Sequence, residues 1–165
     1  MNTEFKIKEI AIDKVAHLFE LNSKELEKRE IHTIIADSNP GFPCRVSLKE
    51  ANIGEKIFAF NYQHHDVRSP YRASGPIFVR ENAIPANLNT NEIPEILEHR
   101  LLSVRAYDRK AMMIDAKTVK GEHLRPTIHE LFSNGEIAYL QVHNSSHGCY
   151  NCQIDRVTPT EMNDF

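Results

Sequence analysis

Long apolar runs, paired cysteines, phosphate-binding glycine loops and a surplus of one charge are all scarce in this chain. The longest apolar runs, Ile57-Phe58-Ala59-Phe60 among them, are four residues, far short of the ~20 that a membrane helix needs. The N-terminal Met1-Asn2-Thr3-Glu4-Phe5-Lys6 has an acid where a signal peptide needs base, and no apolar stretch follows. Three cysteines, Cys44, Cys149 and Cys152, are an odd number and too few for a disulfide scaffold, so reduced thiols in a cytoplasm are expected. The net charge is −3, with Lys and Arg spread along the chain. Nucleic-acid binders concentrate their basic residues, so no nucleic-acid partner is expected, and none in a membrane. No Gly-x4-Gly-Lys-Ser/Thr, Gly-x-Gly-x2-Gly, His-Glu-x2-His or Gly-x-Ser-x-Gly occurs. That disfavours nucleotide, dinucleotide, zinc-protease and serine-hydrolase chemistry, and no cofactor is implied.

What is present suits one packed domain over residues 1–165, since a chain this long holds one good core and not two. Hydrophobic residues make up 41% and charged residues 26%, enough for a core beneath a soluble surface. No repeat, low-complexity tract or Gly/Ser linker marks a boundary.

Phe5 and Ile7 open an imperfect first strand, and Asp13 is placed to cap a short helix carrying Val15, Ala16 and Phe19. Ser23 opens a charged helix, Lys24 to Arg29. Ser38-Asn39-Pro40-Gly41 is a turn. Lys56 to Tyr62 alternates around aromatic residues as a strand, and Gly75-Pro76 breaks the chain before a second strand, Ile77 to Arg80. Asn91 to Leu101 has helical spacing at Ile93, Ile96, Leu97 and Leu101, with Pro94 in the first turn. Ser103–Tyr107 and Met112–Val119 form a hairpin around Asp108-Arg109-Lys110. Leu124 to Ser133 is a helix that stops near Gly135, and Ile137–His143 with Cys149–Val157 closes the chain as a second hairpin. Grouped strands with singly inserted helices predict an α+β fold: a mostly antiparallel or mixed sheet with two to four helices packed on it.

Five segments carry a family likeness. They are Pro40-Gly41-Phe42-Pro43-Cys44-Arg45-Val46-Ser47-Leu48; Gly54-Glu55; Ser69-Pro70-Tyr71 running into Gly75-Pro76-Ile77-Phe78-Val79; Val104-Arg105-Ala106-Tyr107-Asp108; and Gly148-Cys149-Tyr150 with Ile154-Asp155-Arg156. In order and spacing the chain resembles a bacterial family known as domain of unknown function 1203. The resemblance implies an identity without an activity, and includes Cys44-Arg45, Tyr71, Arg105 and Cys149 in the shared pattern but not Cys152.

Several motifs invite chemistry. Cys149-Tyr150-Asn151-Cys152 has redox spacing, but a strand would send its thiols to opposite faces, so structural cysteines are expected. His143, His147 and Cys149 have donor types that zinc accepts, though Asn144-Ser145-Ser146 reads as a hairpin loop rather than a helix bringing them together; no metal is expected. Cys44 or Cys149 beside a histidine could make a thiol nucleophile, against the commoner inert buried thiol. His64-His65-Asp66 ends a strand, where adjacent side chains point to opposite faces, so only one histidine is expected to join a site. Arg105 shares a sheet face with Tyr107, opposite Val104 and Ala106. A guanidinium fork there is a surface charge, a structural ion pair or an anion clamp.

The expectation for function is a small-molecule site for an anionic ligand, built from Arg45, His65, Tyr71, Arg105 and His143. His65 or His143 would be the general base of any catalysis. Convergence of Arg45 and Arg105 on one cavity is its geometric signature. The alternatives are a non-catalytic protein-interaction domain and a zinc protein using His143, His147 and Cys149.

Overall fold

Apolar faces decide which stretches of this chain meet. The computed structural model describes residues 2–158. Among them the strands are β1 (Phe5–Lys8), β2 (His32–Ile35), β3 (Lys56–His65), β4 (Ala73–Arg80), β5 (Leu101–Tyr107), β6 (Met113–Lys120), β7 (Tyr139–Asn144) and β8 (Tyr150–Arg156). Helices are α1 (Ser23–Lys28), α2 (Glu95–Glu98) and α3 (Leu124–Phe132), with short 3-10 turns at Ile12–Lys14, Ala16–Glu20 and Gly121–His123. The fold is α+β, and its strands pair antiparallel throughout. They form two sheets where one was expected: a five-stranded sheet ordered β1-β8-β7-β5-β6 and a three-stranded sheet ordered β2-β3-β4.

The larger sheet follows directly from alternation. Leu102, Val104 and Ala106 of β5, Leu140 and Val142 of β7, and Cys152 and Ile154 of β8 point to one face. There Leu124, Ile128, Leu131 and Phe132 of α3 close over them at helical spacing. Each leucine, isoleucine, valine or phenylalanine among them contributes about 1.5–3 kcal/mol on burial. The smaller sheet packs Phe58, Ile77 and Val79 against Val15, Leu18, Leu26, Cys44 and Val46, with Tyr150 of the larger sheet joining the cluster.

Local predictions fail where tertiary partners outbid propensity. The predicted helix Asn91–Leu101 shrinks to the single turn of α2. Asn91 adopts φ 61° and turns to the sheet edge, accepting from Phe5 N through Oδ1 at 3.0 Å and donating its own N–H to Phe5 O at 2.8 Å. It thereby caps β1 as a strand would. Pro94 is the N-cap residue, and Leu101 already belongs to β5. Asp13 makes no cap, because that segment forms 3-10 turns. Asn22, rather than Ser23, caps α1 in a reciprocal capping box with Glu25. Gly75-Pro76 does not break the chain before β4 but lies within it, and an edge strand tolerates Pro76. The exposed, weakly alternating β2 went unpredicted.

Candidate functional site

The alternation that buries Val104 and Ala106 turns Ser103, Arg105 and Tyr107 to the opposite face of the larger sheet. Across β5 and β7, Ser103 lies beside His143, Arg105 beside Gln141 and Tyr107 beside Tyr139. The end of β3 crosses this polar face. Both His64 and His65 reach it: His64 Nδ1 lies 3.2 Å from Gln141 Oε1, and His65 Nε2 lies 2.6 Å from the Tyr139 hydroxyl. The expectation that only one could join is corrected, since the β3–β4 register slips between Tyr62 and His65 and the alternation breaks there. The loop after β3 is pinned through Ser69, whose hydroxyl donates to Ala111 O at 2.8 Å and accepts from Tyr71 N at 3.0 Å. It holds Tyr71 edge-on to Tyr107, ring centroids 6.1 Å apart.

Hydrogen-bond partners fix the histidine tautomers. A carbonyl oxygen only accepts, so His65 Nδ1 donates to Tyr71 O at 2.7 Å and its Nε2 accepts from Tyr139. His65 is buried with both nitrogens satisfied. His143 Nδ1 donates to Gly148 O at 3.0 Å. Burial, reinforced by the Arg105 charge, pushes His143 down to about 3. Neutral and protonated on Nδ1, it turns a lone pair toward Gln141 Oε1 at 3.4 Å, so that contact is no hydrogen bond. Gln141 donates from Nε2 to His64 O at 3.0 Å, which identifies Oε1 as its acceptor end. His64 must therefore donate from Nδ1. Its ring is sandwiched, stacked on Tyr150 at 4.9 Å and edge-on to His143 at 4.9 Å. Burial, with small contributions from His65 and Arg105, lowers its basicity against the opposing Gln141 bond.

Arg105 stands out among the arginines that are not fully exposed. Arg45 donates to Tyr150 O at 2.7 Å and to Pro43 O; Arg80 forks onto Glu55 at 2.8 and 2.6 Å. Arg100 holds Glu50 and Ile96 O, and Arg156 donates to Ile137 O and Asn134 O. Arg105 meets the Ser103 hydroxyl at 3.3 Å and takes part in none of the ion pairs among the described residues. Its charge acts on neutral neighbours, opposing the rise that burial imposes on Tyr107.

Of the five residues singled out from sequence, Arg105, His65, Tyr71 and His143 gather around Tyr107 and Gln141. Arg45 stands apart. It is 2% exposed, its guanidinium is turned to backbone carbonyls, and burial lowers it to about 10. Its fork is used on the Tyr150 and Pro43 carbonyls, whereas Arg105 meets Ser103 on the polar face, so the two arginines share no partner. Sequence reasoning missed Gln141, Tyr139 and Tyr150, and passed over His64 in favour of His65. Alternation on β7 from His143 would have flagged Gln141 and Tyr139; nothing local marks how His64 meets them.

His147 lies in the exposed turn between β7 and β8, while the His143 ring is committed to Gly148 O. Among the described residues no three His, Cys, Asp or Glu side chains gather as a metal-ligand set. A cleft of about 860 Å³ opens elsewhere, between the 39–50 loop and the 86–100 segment. Leu48, Leu88, Ile93 and Ile96 line it beside the Glu50–Arg100 pair, and none of the five residues does. No helix among the described residues is long and apolar enough to cross a membrane.

Comparison with known proteins finds no match among curated proteins or solved structures. The family model described as "Protein of unknown function (DUF1203)" matches residues 41–156, a span that holds the 39–50 loop from Gly41 onward, both sheets from β3 to β8 and every residue of the polar face. The chain belongs to that family.

Proposed function

We propose that this protein binds a small anionic molecule on the polar face of its larger sheet, with Arg105 as the anion-contacting residue and Tyr71, Tyr107 and Ser103 beside it. One observation carries the reading: among the described residues Arg105 is a partly buried guanidinium that meets neither a carboxylate nor a carbonyl, whereas Arg45, Arg80, Arg100 and Arg156 each do. A desolvated cation is costly without a counter-charge, and a guanidinium fork matches a carboxylate or phosphate. The surrounding histidines are held neutral or committed, so they do not compete for the anion. His65 and His143 serve as supports whose protons are fixed by Tyr139, Tyr71 O and Gly148 O. A reducing cytoplasm suits the three free thiols.

A thermal-shift screen of carboxylates and phosphates tests this. At ten times its Kd a ligand stabilises the wild type by about 1.4 kcal/mol, or about 4 °C. Arg105→Ala should lose that shift; an equal shift in both proteins would overturn the reading.

A second reading, a non-catalytic interaction domain, draws on the apolar cleft beside Ile93 and Ile96. Its test is whether Ile93→Asp abolishes association with a partner while the anion screen stays blank for the wild type.

A further inference from the structure

The polar face offers more than a positive charge. His64 is only partly buried, and its Nδ1 must donate, because Gln141 Oε1 is an acceptor once Gln141 Nε2 is bound to the His64 carbonyl. The opposite nitrogen then carries a lone pair, and no described group donates to it. Stacking on Tyr150, with centroids 4.9 Å apart and planes 9° from parallel, and the edge of His143 hold the ring in place. A fixed acceptor and the Arg105 cation, which has no ion partner among the described residues, thus occupy neighbouring places on one face, close enough for the arginine's charge to act on the imidazole. Ser103 accepts from Arg105 Nε, leaving its O–H to donate.

Resting on the anion reading above, we propose that His64 Nε2 accepts a hydrogen bond from the ligand, so the ligand is a small hydroxycarboxylate: the carboxylate meets Arg105 and the hydroxyl donates to His64. The site therefore prefers an anion with a neighbouring O–H over the same anion without one. His64 is suited to accept because it stays unprotonated. The groups facing it are Gln141 and His143 from β7, Tyr150 from β8, Arg105 from β5 and His65 from its own strand; none carries a negative charge near neutral pH that would hold a proton on it. This makes His64, rather than His65 or His143, the histidine available to a ligand, since those two are buried, His65 Nε2 is taken by the Tyr139 hydroxyl and His143 Nε2 is turned inward to Gln141 Oε1.

Glycolate and acetate differ only by the hydroxyl and serve as probes, titrated calorimetrically into wild type, His64→Phe and Arg105→Gln. Phenylalanine keeps the stack on Tyr150 and removes the acceptor. The wild type should bind glycolate roughly tenfold tighter than acetate. His64→Phe should bind both with the affinity of acetate, and Arg105→Gln should bind neither. Equal affinities for the two acids in the wild type, lost together in Arg105→Gln, would sink the His64 assignment and leave the anion reading standing. Binding unaffected by Arg105→Gln, or no binding by the wild type, would overturn both. Nitrogen-15 spectra of the wild type test the acceptor without any variant: Nδ1 of His64 should carry the proton at pH 7, and a proton on Nε2 would refute the proposal.

Discussion

Tyr139 donates its hydroxyl to His65 Nε2 across 2.6 Å, the shortest of the side-chain bonds that fasten the end of β3 to β7. The bond works because His65 is locked as its Nδ1–H form by the Tyr71 carbonyl. One imidazole thus joins the smaller sheet, the larger sheet and the loop that carries Tyr71. Removing the hydroxyl leaves a buried lone pair with nothing to accept from, so Tyr139→Phe should cost about 1–3 kcal/mol. Urea unfolding should show a lower midpoint with an unchanged slope.

His143 makes stability depend on acid. Its folded pKa is depressed to about 3 from 6.5, so below pH 6.5 the unfolded chain binds a proton that the folded chain refuses. Stability is therefore unaffected by this group above pH 6.5 and falls as the pH drops from 6.5 toward 3. His143→Gln, whose amide can still donate to Gly148 O, should flatten that part of the stability–pH curve. An unchanged slope would refute the assignment.

Tyr139 acts at the alkaline end. Burial, then the neighbouring Tyr107, Asp108 and Asp155, raise it to about 12 from 10. Between pH 10 and 12 the unfolded chain has released this proton and the folded chain has not, so stability should fall across that window. The Tyr139→Phe variant should lose the decline, which denaturant midpoints at pH 9, 10 and 11 would reveal.

The cysteines should separate by reactivity. Cys152 is fully buried and burial raises it to about 12, while Cys149 is partly exposed ahead of β8. Alkylation of the native protein near neutral pH should label Cys149 first, and Cys44 and Cys152 only after denaturation. Three thiols should be counted without reductant. Elemental analysis of protein prepared without chelator belongs with this measurement, since about one zinc per chain would revive a site at His143, His147 and Cys149.

Gly121 is a packing test. A Cβ there would fall 1.7 Å from Leu97 O and 2.7 Å from the Glu98 carbonyl. Backbone cannot yield that far, so Gly121→Ala should destabilise by about 3 kcal/mol. A melting temperature equal to wild type would show that this approach is wrongly placed.

Much of this was legible in the residues themselves. Alternation placed Val104 and Ala106 inward and Arg105 and Tyr107 outward, and helical spacing located Leu124–Phe132. Those signals are local: a side chain's direction follows from period 2 or 3.6 once its element is known. Asn91–Leu101 shows the limit. Its apolar spacing is helical, yet Asn91 is held by Phe5, 86 residues away, and no window of sequence contains that competitor.

The candidate site divides the same way. Sequence sufficed to bring out Arg45, Tyr71 and Arg105 from the strongly patterned segments, and His65 and His143 as histidines at a strand end and a hairpin. Tertiary structure alone decided their states. Arg45 and Arg105 look equivalent as residues, but one finds the carbonyls of Pro43 and Tyr150 and the other finds the hydroxyls of Ser103 and Tyr107. His64 and His65 are neighbours, yet Tyr139 and Tyr71 satisfy both nitrogens of one, while Gln141 engages a single nitrogen of the other. Which proton an imidazole carries, and whether a guanidinium is paired, depend on acceptors that long-range strand pairing delivers within about 3 Å. Residue type supplies the donor or the lone pair; the partner that uses it or leaves it free comes from another strand.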